Sequence, residues 1–151
     1  MTINLICVGN LKEKFSRDEQ EEYLKRLSAF AKTNIIEIKE QNHLENPFVI
    51  VEKEGDEICK KLKGYSILCD IKSKEVTSEQ FAQKIDLIMQ ENSTISFVIG
   101  GSYGVSQKVR DQVNEKISFS PMTFPHNLFR IMLLEQIYRS FTILNGKSYH
   151  K

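Results

Sequence analysis

Short apolar segments alternate regularly with amphipathic ones along the whole chain. Short apolar segments bounded by turn residues predict buried strands, and apolar residues spaced three and four apart predict helices. Such an alternation predicts an α/β fold in which helices flank a mostly parallel sheet. The predicted strands are Ile3–Val8, Asn34–Ile38, Tyr65–Asp70, Thr94–Ile99 and Ile117–Phe119. The predicted helices are Ser16–Ala31, Pro47–Leu62, Thr77–Met89 (opening on a capping box), Val105–Lys116 and Pro125–Leu144.

Length and charge narrow the class of protein. The chain has 151 residues, which favours a single domain over residues 1–151. Its formal net charge of +1 is far from the strongly basic character of an autonomous nucleic-acid-binding domain. Contact with RNA would therefore rely on a local basic surface or on shape. The N-terminus has no signal-peptide pattern and no apolar run is long enough to span a membrane, so we predict a cytoplasmic protein.

The cysteines and histidines argue against a metal site. Cys7, Cys59 and Cys69 lie far apart, and no pair has the spacing of a metal or redox motif. Their pattern is typical of reduced thiols in a cytosolic protein. The three histidines are equally scattered, so we expect no bound metal.

A glycine-rich turn, Gly100–Gly104, follows the predicted strand Thr94–Ile99. Glycines let a backbone approach a ligand closely, and a turn from strand to helix points amides outward. The turn therefore indicates either a cofactor site at the edge of the sheet or a tight connection without a ligand. Its glycine spacing differs from the dinucleotide-binding pattern, which excludes an NAD- or nucleotide-binding domain of that type.

The segment Ser118–Pro125 carries Phe119, Met122 and Phe124 among small polar residues, and two prolines restrict its backbone. Such a loop forms an apolar slot edged with free backbone groups, which suits a purine ring. The same three side chains would equally serve to plug the core. The spacing alone leaves both interpretations open.

The last helix and the tail carry the remaining candidate groups. The run Ile131–Leu134 is apolar on every side, which predicts burial on more than one side and a subunit interface. Glu135 and Arg139 are four residues apart and form either an exposed helix pair or a site for a polar substrate group. Tyr149–Lys151 is either a frayed end or a set of groups that stack on a base, move a proton and bind phosphate.

Three long motifs resemble a known superfamily. They are Phe97–Gly104, Ser118–His126 and Leu134–Arg139 with the closing Tyr149–Lys151. Together they resemble the SPOUT superfamily of methyltransferases, and within it the branch that modifies ribosomal RNA of the large subunit. The resemblance extends over the whole chain.

The resemblance implies an activity and an architecture. Members of this branch methylate N3 of a pseudouridine in 23S rRNA of the assembled ribosome, with S-adenosyl-L-methionine as the methyl donor. They are homodimers, and their C-terminal part forms a trefoil knot around the cofactor. Here the knot would comprise the Gly100 turn, the Phe119–Phe124 loop and the threaded final helix. Elementary folding rules would not have suggested a knot.

The resemblance also assigns site residues. One cofactor contact falls on Cys69, or on Leu68 if the helix that follows carries a gap. The other implied cofactor contacts are Gly100, Phe119, Ser120, Pro121, Met122, Thr123 and Phe124. For catalysis we predict that Arg139 orients the substrate or stabilises charge and that Glu135 supports it. We predict that His150, from the same subunit or from the partner subunit, is the general base or contacts the general base.

Basic residues are the expected contacts with RNA. We expect RNA to contact the arginines and lysines near the C-terminus, together with those of the first helix, which are Lys12, Lys14, Arg17, Lys25 and Arg26. One alternative is a related methyltransferase that acts on tRNA or on another rRNA site. A second is a ribosome-associated assembly factor without catalytic activity.

Overall fold

The computed structural model describes residues 1–151 and contains five strands and five helices. The strands are β1 (Thr2–Val8), β2 (Lys32–Ile38), β3 (Tyr65–Cys69), β4 (Thr94–Ile99) and β5 (Glu115–Ile117). The helices are α1 (Lys14–Leu27), α2 (Pro47–Lys61), α3 (Ser78–Glu91), α4 (Gln107–Gln112) and α5 (His126–Leu144).

The strands form one sheet in the order β2-β1-β4-β3-β5, and every neighbouring pair is parallel. The predicted α/β class with a parallel sheet is therefore confirmed. The central strands β1 and β4 are buried almost throughout, which matches their continuous apolar sequences. Since all strands run the same way, their carboxyl ends meet at one edge of the sheet, and the loops that follow them meet there too.

Helices cover both faces of the sheet. On one face α1, α3 and α5 pack together over the larger apolar cluster, which includes Leu27, Phe81, Phe97 and Leu133. On the other face α2 and α4 pack over a smaller cluster that includes Ile58 and Val109. The predicted capping box of α3 is present, with the Thr77 side chain accepting from the Gln80 amide and the Gln80 side chain accepting from the Thr77 amide. No helix combines the length and the apolar character that a membrane span requires.

The structure corrects the region between β4 and α5. The helix predicted at Val105–Lys116 is only the six-residue α4, and β5 lies at Glu115–Ile117 where a strand was expected at Ile117–Phe119. Asn114 explains the change, because its backbone N–H donates to the Ser66 carbonyl (3.0 Å) and its side-chain oxygen accepts from the Ser66 N–H (2.8 Å). These bonds turn the chain out of the helix and align β5 beside β3.

Several other predicted boundaries shift by a few residues, most clearly those of the first helix and the second strand. The first helix begins at Lys14 and ends at Leu27, where Ser16–Ala31 was predicted. Its expected last turn is a separate turn closed by the bond from the Phe30 amide to the Leu27 carbonyl (2.8 Å). The second strand also starts earlier than predicted, because Lys32 pairs with Thr2 in the sheet register.

The final helix carries one fully buried charge. Arg130 is 1% exposed, and its guanidinium donates to Glu37 (2.7 Å), to the Gly9 carbonyl (3.0 Å) and to Gln20 (3.3 Å). A buried guanidinium requires such partners, because charge is costly to remove from water. Arg130 thereby fixes the start of α5 against the carboxyl ends of β1 and β2.

Candidate active site

A cavity of about 290 Å³ lies at the carboxyl ends of β3 and β4, between three loops and the start of α5. Its volume is near the lower end of the range for small-molecule sites, which is about 300–1,000 Å³. The edge where parallel strands end is the usual ligand site of such sheets. The lining residues come from the ends of β3 and β4, the loop after β3, the glycine turn after β4, helix α4, the loop after β5 and the first turn of α5.

The glycine turn forms one wall of this cavity. Gly104 donates its N–H to the Gly101 carbonyl (3.0 Å) and adopts a φ of +83°, a conformation that side chains disfavour. At Gly100 an added Cβ would lie 2.7 Å from a methyl of Val105, so the turn closes too tightly for a larger residue. The glycines are thus explained by the turn itself, and the turn places Gly100, Gly101 and Gly104 on the cavity surface.

The loop after β5 forms the opposite wall and is held by the loop after β3. Ser118 donates its amide to the Lys74 carbonyl (3.0 Å), and its own carbonyl accepts from the Val76 amide (3.1 Å). Beyond it, Ser120 accepts from the Met122 amide through its side-chain oxygen (3.1 Å), which fixes the turn. The loop therefore has a defined shape without a ligand.

The sequence left open whether the apolar side chains of this loop line a ligand site or plug the core, and the structure shows both. Phe119 packs on Phe81 (5.5 Å between ring centroids) and on Phe129 (5.1 Å), as a core residue does, yet it also lines the cavity. Met122 is 68% exposed, so it is not part of the core. Phe124 is half-buried and lines the cavity.

The structure brings nearly all the expected cofactor contacts to this one cavity. Of that set, Pro121 is the only member that does not line it. The third-strand position is not resolved between its two candidates, since Leu68 and Cys69 both line the wall. The lining members are Leu68, Cys69, Gly100, Phe119, Ser120, Met122, Thr123 and Phe124.

The sequence-based prediction missed an ion pair in the same cavity. Arg110 of α4 donates to Asp70, with 2.7 Å between Nη1 and Oδ2. Burial raises the pKa of the Asp70 carboxyl, but the hydrogen bonds from Arg110, from the Lys72 amide and from Ser73 together hold that pKa below its usual value. Asp70 was detectable as a polar residue at the end of a strand, whereas nothing in the sequence indicated that Arg110 reaches it.

The predicted catalytic residues form a second cluster on α5. Arg139 directs both Nε (3.0 Å) and Nη2 (2.5 Å) at Oε1 of Glu135. Their side chains are 24% and 17% exposed, so the pair is more enclosed than an ordinary surface pair. Tyr149 donates its hydroxyl to the same Glu135 oxygen (3.0 Å), and its ring lies under the Arg139 guanidinium at 4.9 Å.

His150 completes this cluster and joins it to α3. Its Nδ1 is 3.1 Å from Nη1 of Arg139, and its Nε2 is 2.8 Å from Oε1 of Glu79. The hydrogen bond from His150 lowers the pKa of Glu79, a residue that the sequence-based prediction did not include. Tyr149 and His150 therefore pack the C-terminal tail against the rest of the chain, and the tail is not frayed.

A second cavity of about 420 Å³ lies next to the first. Phe119 lines both cavities, and Glu135 of the charged cluster (Glu135, Arg139, Tyr149 and His150) lines the second one. Polar side chains such as Ser78 and Gln136 share this surface with apolar ones such as Met132. The second cavity thus lies between the first cavity and the charged cluster.

Cys7 and Cys69 have thiols of low reactivity. Burial raises the pKa of the Cys7 thiol to about 11 and raises that of Cys69 as well. A thiolate is the reactive form, so neither group is suited to be a nucleophile near neutral pH. No group of three or more histidine, cysteine, aspartate or glutamate side chains is placed to hold a metal ion.

A parallel sheet with a glycine-walled cavity at its carboxyl edge defines an α/β protein of the cofactor-binding class. Comparison with known proteins gives the particular family. Residues 1–150 match the family model described as "Predicted SPOUT methyltransferase". The chain therefore belongs to the SPOUT methyltransferase family, whose members transfer a methyl group from a methyl-donor cofactor.

Close relatives share its full length. The chain is 50% identical to a protein of Clostridium botulinum (strain Kyoto / Type A2) named ribosomal RNA large subunit methyltransferase H, over 159 aligned positions covering 100% of both chains. Proteins of the same name from C. botulinum (strain Langeland / NCTC 10281 / Type F) and Clostridium acetobutylicum are 49% and 48% identical, again over 100% of both chains.

Proposed function

We propose that this chain is an S-adenosylmethionine-dependent methyltransferase that modifies N3 of a pseudouridine in 23S rRNA of the assembled ribosome. One observation carries the proposal: the residues expected to contact the cofactor gather around one cavity, which shares Phe119 with a second cavity that reaches the charged cluster of α5. Full-length relatives named as large-subunit rRNA methyltransferases support the choice of substrate. Since that substrate is the ribosome, we propose a cytoplasmic location.

The cofactor cavity fits S-adenosylmethionine in its chemistry. Its aromatic and apolar wall, formed by Phe119, Phe124 and Leu68, suits an adenine ring. Its polar part, which includes Asp70 and Arg110, suits the charged amino-acid end. When bound, this cofactor supplies a methyl group that is activated by its positive sulfur.

In this proposal the charged cluster contacts the nucleobase that is methylated. N3 of pseudouridine carries a weakly acidic imide proton, which must leave before or as the nitrogen attacks the methyl group. Arg139 is a fixed cation, because Glu135 holds its guanidinium through two hydrogen bonds, and it stabilises the negative charge that develops on the base. His150 lies beside it and is our candidate to take the proton.

We also propose that two copies of the chain form a homodimer through the outer side of α5 and the neighbouring loop. Ile131, Leu133 and Leu134 are buried within one chain, but Leu128 and Met122 remain 50% and 68% exposed. Exposed large apolar side chains favour contact with another protein surface. The trefoil knot remains part of the proposal and is supported by the membership of the SPOUT family.

The alternatives differ in what they require of the cofactor cavity. An assembly factor without catalytic activity would bind ribosomes equally well with and without S-adenosylmethionine. A related enzyme that acts on tRNA would keep the cavity and the charged cluster but leave 23S rRNA unmodified. The names of the full-length relatives favour the ribosomal substrate.

Analysis of cellular RNA tests the proposal. 23S rRNA from cells that lack the gene should contain no N3-methylpseudouridine at the modified position, and a plasmid copy should restore it. The matched control is a plasmid with Arg139→Gln, which should not restore the modification. Loss of a methyl group from tRNA, with 23S rRNA unchanged, would overturn the ribosomal substrate and keep the enzyme class.

A further inference from the structure

The ion pair between Asp70 and Arg110 lies in the polar part of the cofactor cavity, with 2.7 Å between Nη1 and Oδ2. Both residues line the cofactor cavity, and Arg110 is the only lysine or arginine that does so. We propose that Arg110 binds the carboxylate at the methionine end of S-adenosylmethionine, and that Asp70 is a positioning residue that holds the guanidinium in place. This inference rests on the proposed cofactor.

Asp70 is well suited to hold another side chain still. Its carboxylate accepts from the Lys72 amide (3.3 Å), from the Ser73 hydroxyl (3.2 Å) and from Arg110 (2.7 Å). The side chain is only 13% exposed. A carboxylate fixed by three donors is a rigid anchor, and it immediately follows Cys69, one of the two candidate cofactor contacts on β3.

Arg110 keeps most of its donors free. A guanidinium has five N–H donors, and the bond to Asp70 is the only hydrogen bond that the Arg110 guanidinium makes within the protein. Its side chain is 30% exposed, so the free donors are accessible. A guanidinium presents parallel N–H groups that match a carboxylate, which makes such pairs stronger than a single neutral hydrogen bond.

His126 also lines the cavity but is a poorer partner for a carboxylate, because Glu40 lies against its ring with 3.6 Å between Nε2 and Oε1. Near the glycine turn, the acidic Glu54 is 5% exposed, with its Oε1 3.1 Å from the position of a Cβ on Gly101. Arg110 also has an acid beside it, Asp70, but that bond uses one of the five N–H donors of the guanidinium and leaves the others free. Arg110 is therefore the lining side chain best suited to bind a carboxylate.

Calorimetric titration with three ligands tests the inference. S-adenosylmethionine and S-adenosylhomocysteine carry the carboxylate, whereas 5′-methylthioadenosine has the same nucleoside without the amino-acid end. Arg110→Met should raise the Kd for the first two ligands by about ten- to hundredfold and leave the Kd for 5′-methylthioadenosine unchanged. Asp70→Asn should give a smaller loss with the same selectivity.

Lys108→Met is the matched control, since Lys108 is on the same helix, pairs with Asp56 at 3.0 Å and does not line the cavity. It should leave all three Kd values unchanged. If Arg110→Met lowers the melting temperature markedly, Arg110→Gln replaces it.

The outcomes separate this inference from the proposed function. An equal loss for all three ligands would show that Arg110 only supports the cavity wall, and an unchanged Kd for S-adenosylmethionine would show that it makes no contact. Either result overturns the inference while the proposed function stands. A wild-type protein that binds none of the three ligands overturns both.

Discussion

Arg139 and His150 are joined by a hydrogen bond of 3.1 Å between Nη1 and Nδ1. Because a guanidinium has no acceptor, Nδ1 must be the acceptor and the proton of the neutral ring must be on Nε2, which faces Glu79 at 2.8 Å. Both nitrogens of His150 are therefore engaged. The ring becomes able to take a proton only when Nδ1 leaves Arg139, so a base role for His150 requires the arriving nucleobase to displace this contact.

Replacing His150 tests that role. His150→Ala should lower kcat on ribosomes by about a hundredfold or more, because a positioned base contributes at least that much. The Kd for S-adenosylmethionine should not change, since His150 does not line the cofactor cavity. Single-turnover methyl transfer measures the first quantity and calorimetry the second. Unchanged turnover would remove His150 from the mechanism.

Replacing Arg139 tests the stabilisation of charge on the nucleobase. Arg139→Gln removes the cation and should reduce kcat by about 10²–10³-fold, the usual effect of removing a group that stabilises the transition state. Lys60→Gln is the control, because it removes another ion pair within a helix, the one that Lys60 forms with Glu57 on α2. Steady-state kinetics should show no effect of the control. A rise in KM alone for Arg139→Gln would indicate that Arg139 only binds RNA.

The pKa of Tyr149 predicts how the stability of the protein changes at high pH. Burial and the hydrogen bond to Glu135 raise the pKa of its phenol to about 12, above the value of about 10 for a free tyrosine. The unfolded chain therefore loses this proton first as pH rises. The stability contributed by the neutral phenol is fully present below pH about 10 and is lost as pH approaches about 12.

Ultraviolet titration isolates this group among the five tyrosines. The difference between the wild-type protein and Tyr149→Phe should show one phenol that ionises near pH 12. A difference curve centred near pH 10 would show that the tail is not packed against Glu135 in solution.

Arg130 provides a stability measurement. Arg130→Met removes the buried guanidinium that joins α5 to Glu37 and to the Gly9 carbonyl, and should lower the free energy of unfolding by about 2 kcal/mol. The loss is moderate because the Glu37 side chain is 41% exposed and regains water. Denaturant unfolding should show almost no change for Lys14→Met, which removes an exposed pair with Asp18. A comparable loss in both variants would contradict the assigned role.

The sequence was sufficient for the order and type of most elements, because apolar periodicity reflects burial directly. Thr94–Ile99 was predicted without error, since a continuous apolar run in a central strand has one structural solution. The region after it was not, because Asn114 ends the helix through bonds to Ser66, which is 48 residues away in the chain. Local patterns do not contain such long-range partners.

The residues of the candidate site were also only partly predictable from the sequence. The glycine turn and the Ser118–Phe124 loop are unusual enough in composition to be visible in the sequence. The pairing of Arg110 with Asp70 and the contact of His150 with Glu79 depend on residues 40 and 71 positions apart, so only the fold reveals them. Asp70 and Glu79, which hold other side chains, were therefore not assigned from the sequence, whereas Glu135 was, because it lies one helical turn from Arg139.

The most direct test of the central claim is methyl transfer from labelled S-adenosylmethionine to ribosomes from cells that lack this gene. Isolated subunits and naked rRNA serve as parallel substrates. We expect label in 23S rRNA of the intact ribosome alone, at N3 of one pseudouridine. No transfer to any of these substrates, by protein shown to bind the cofactor, would contradict it.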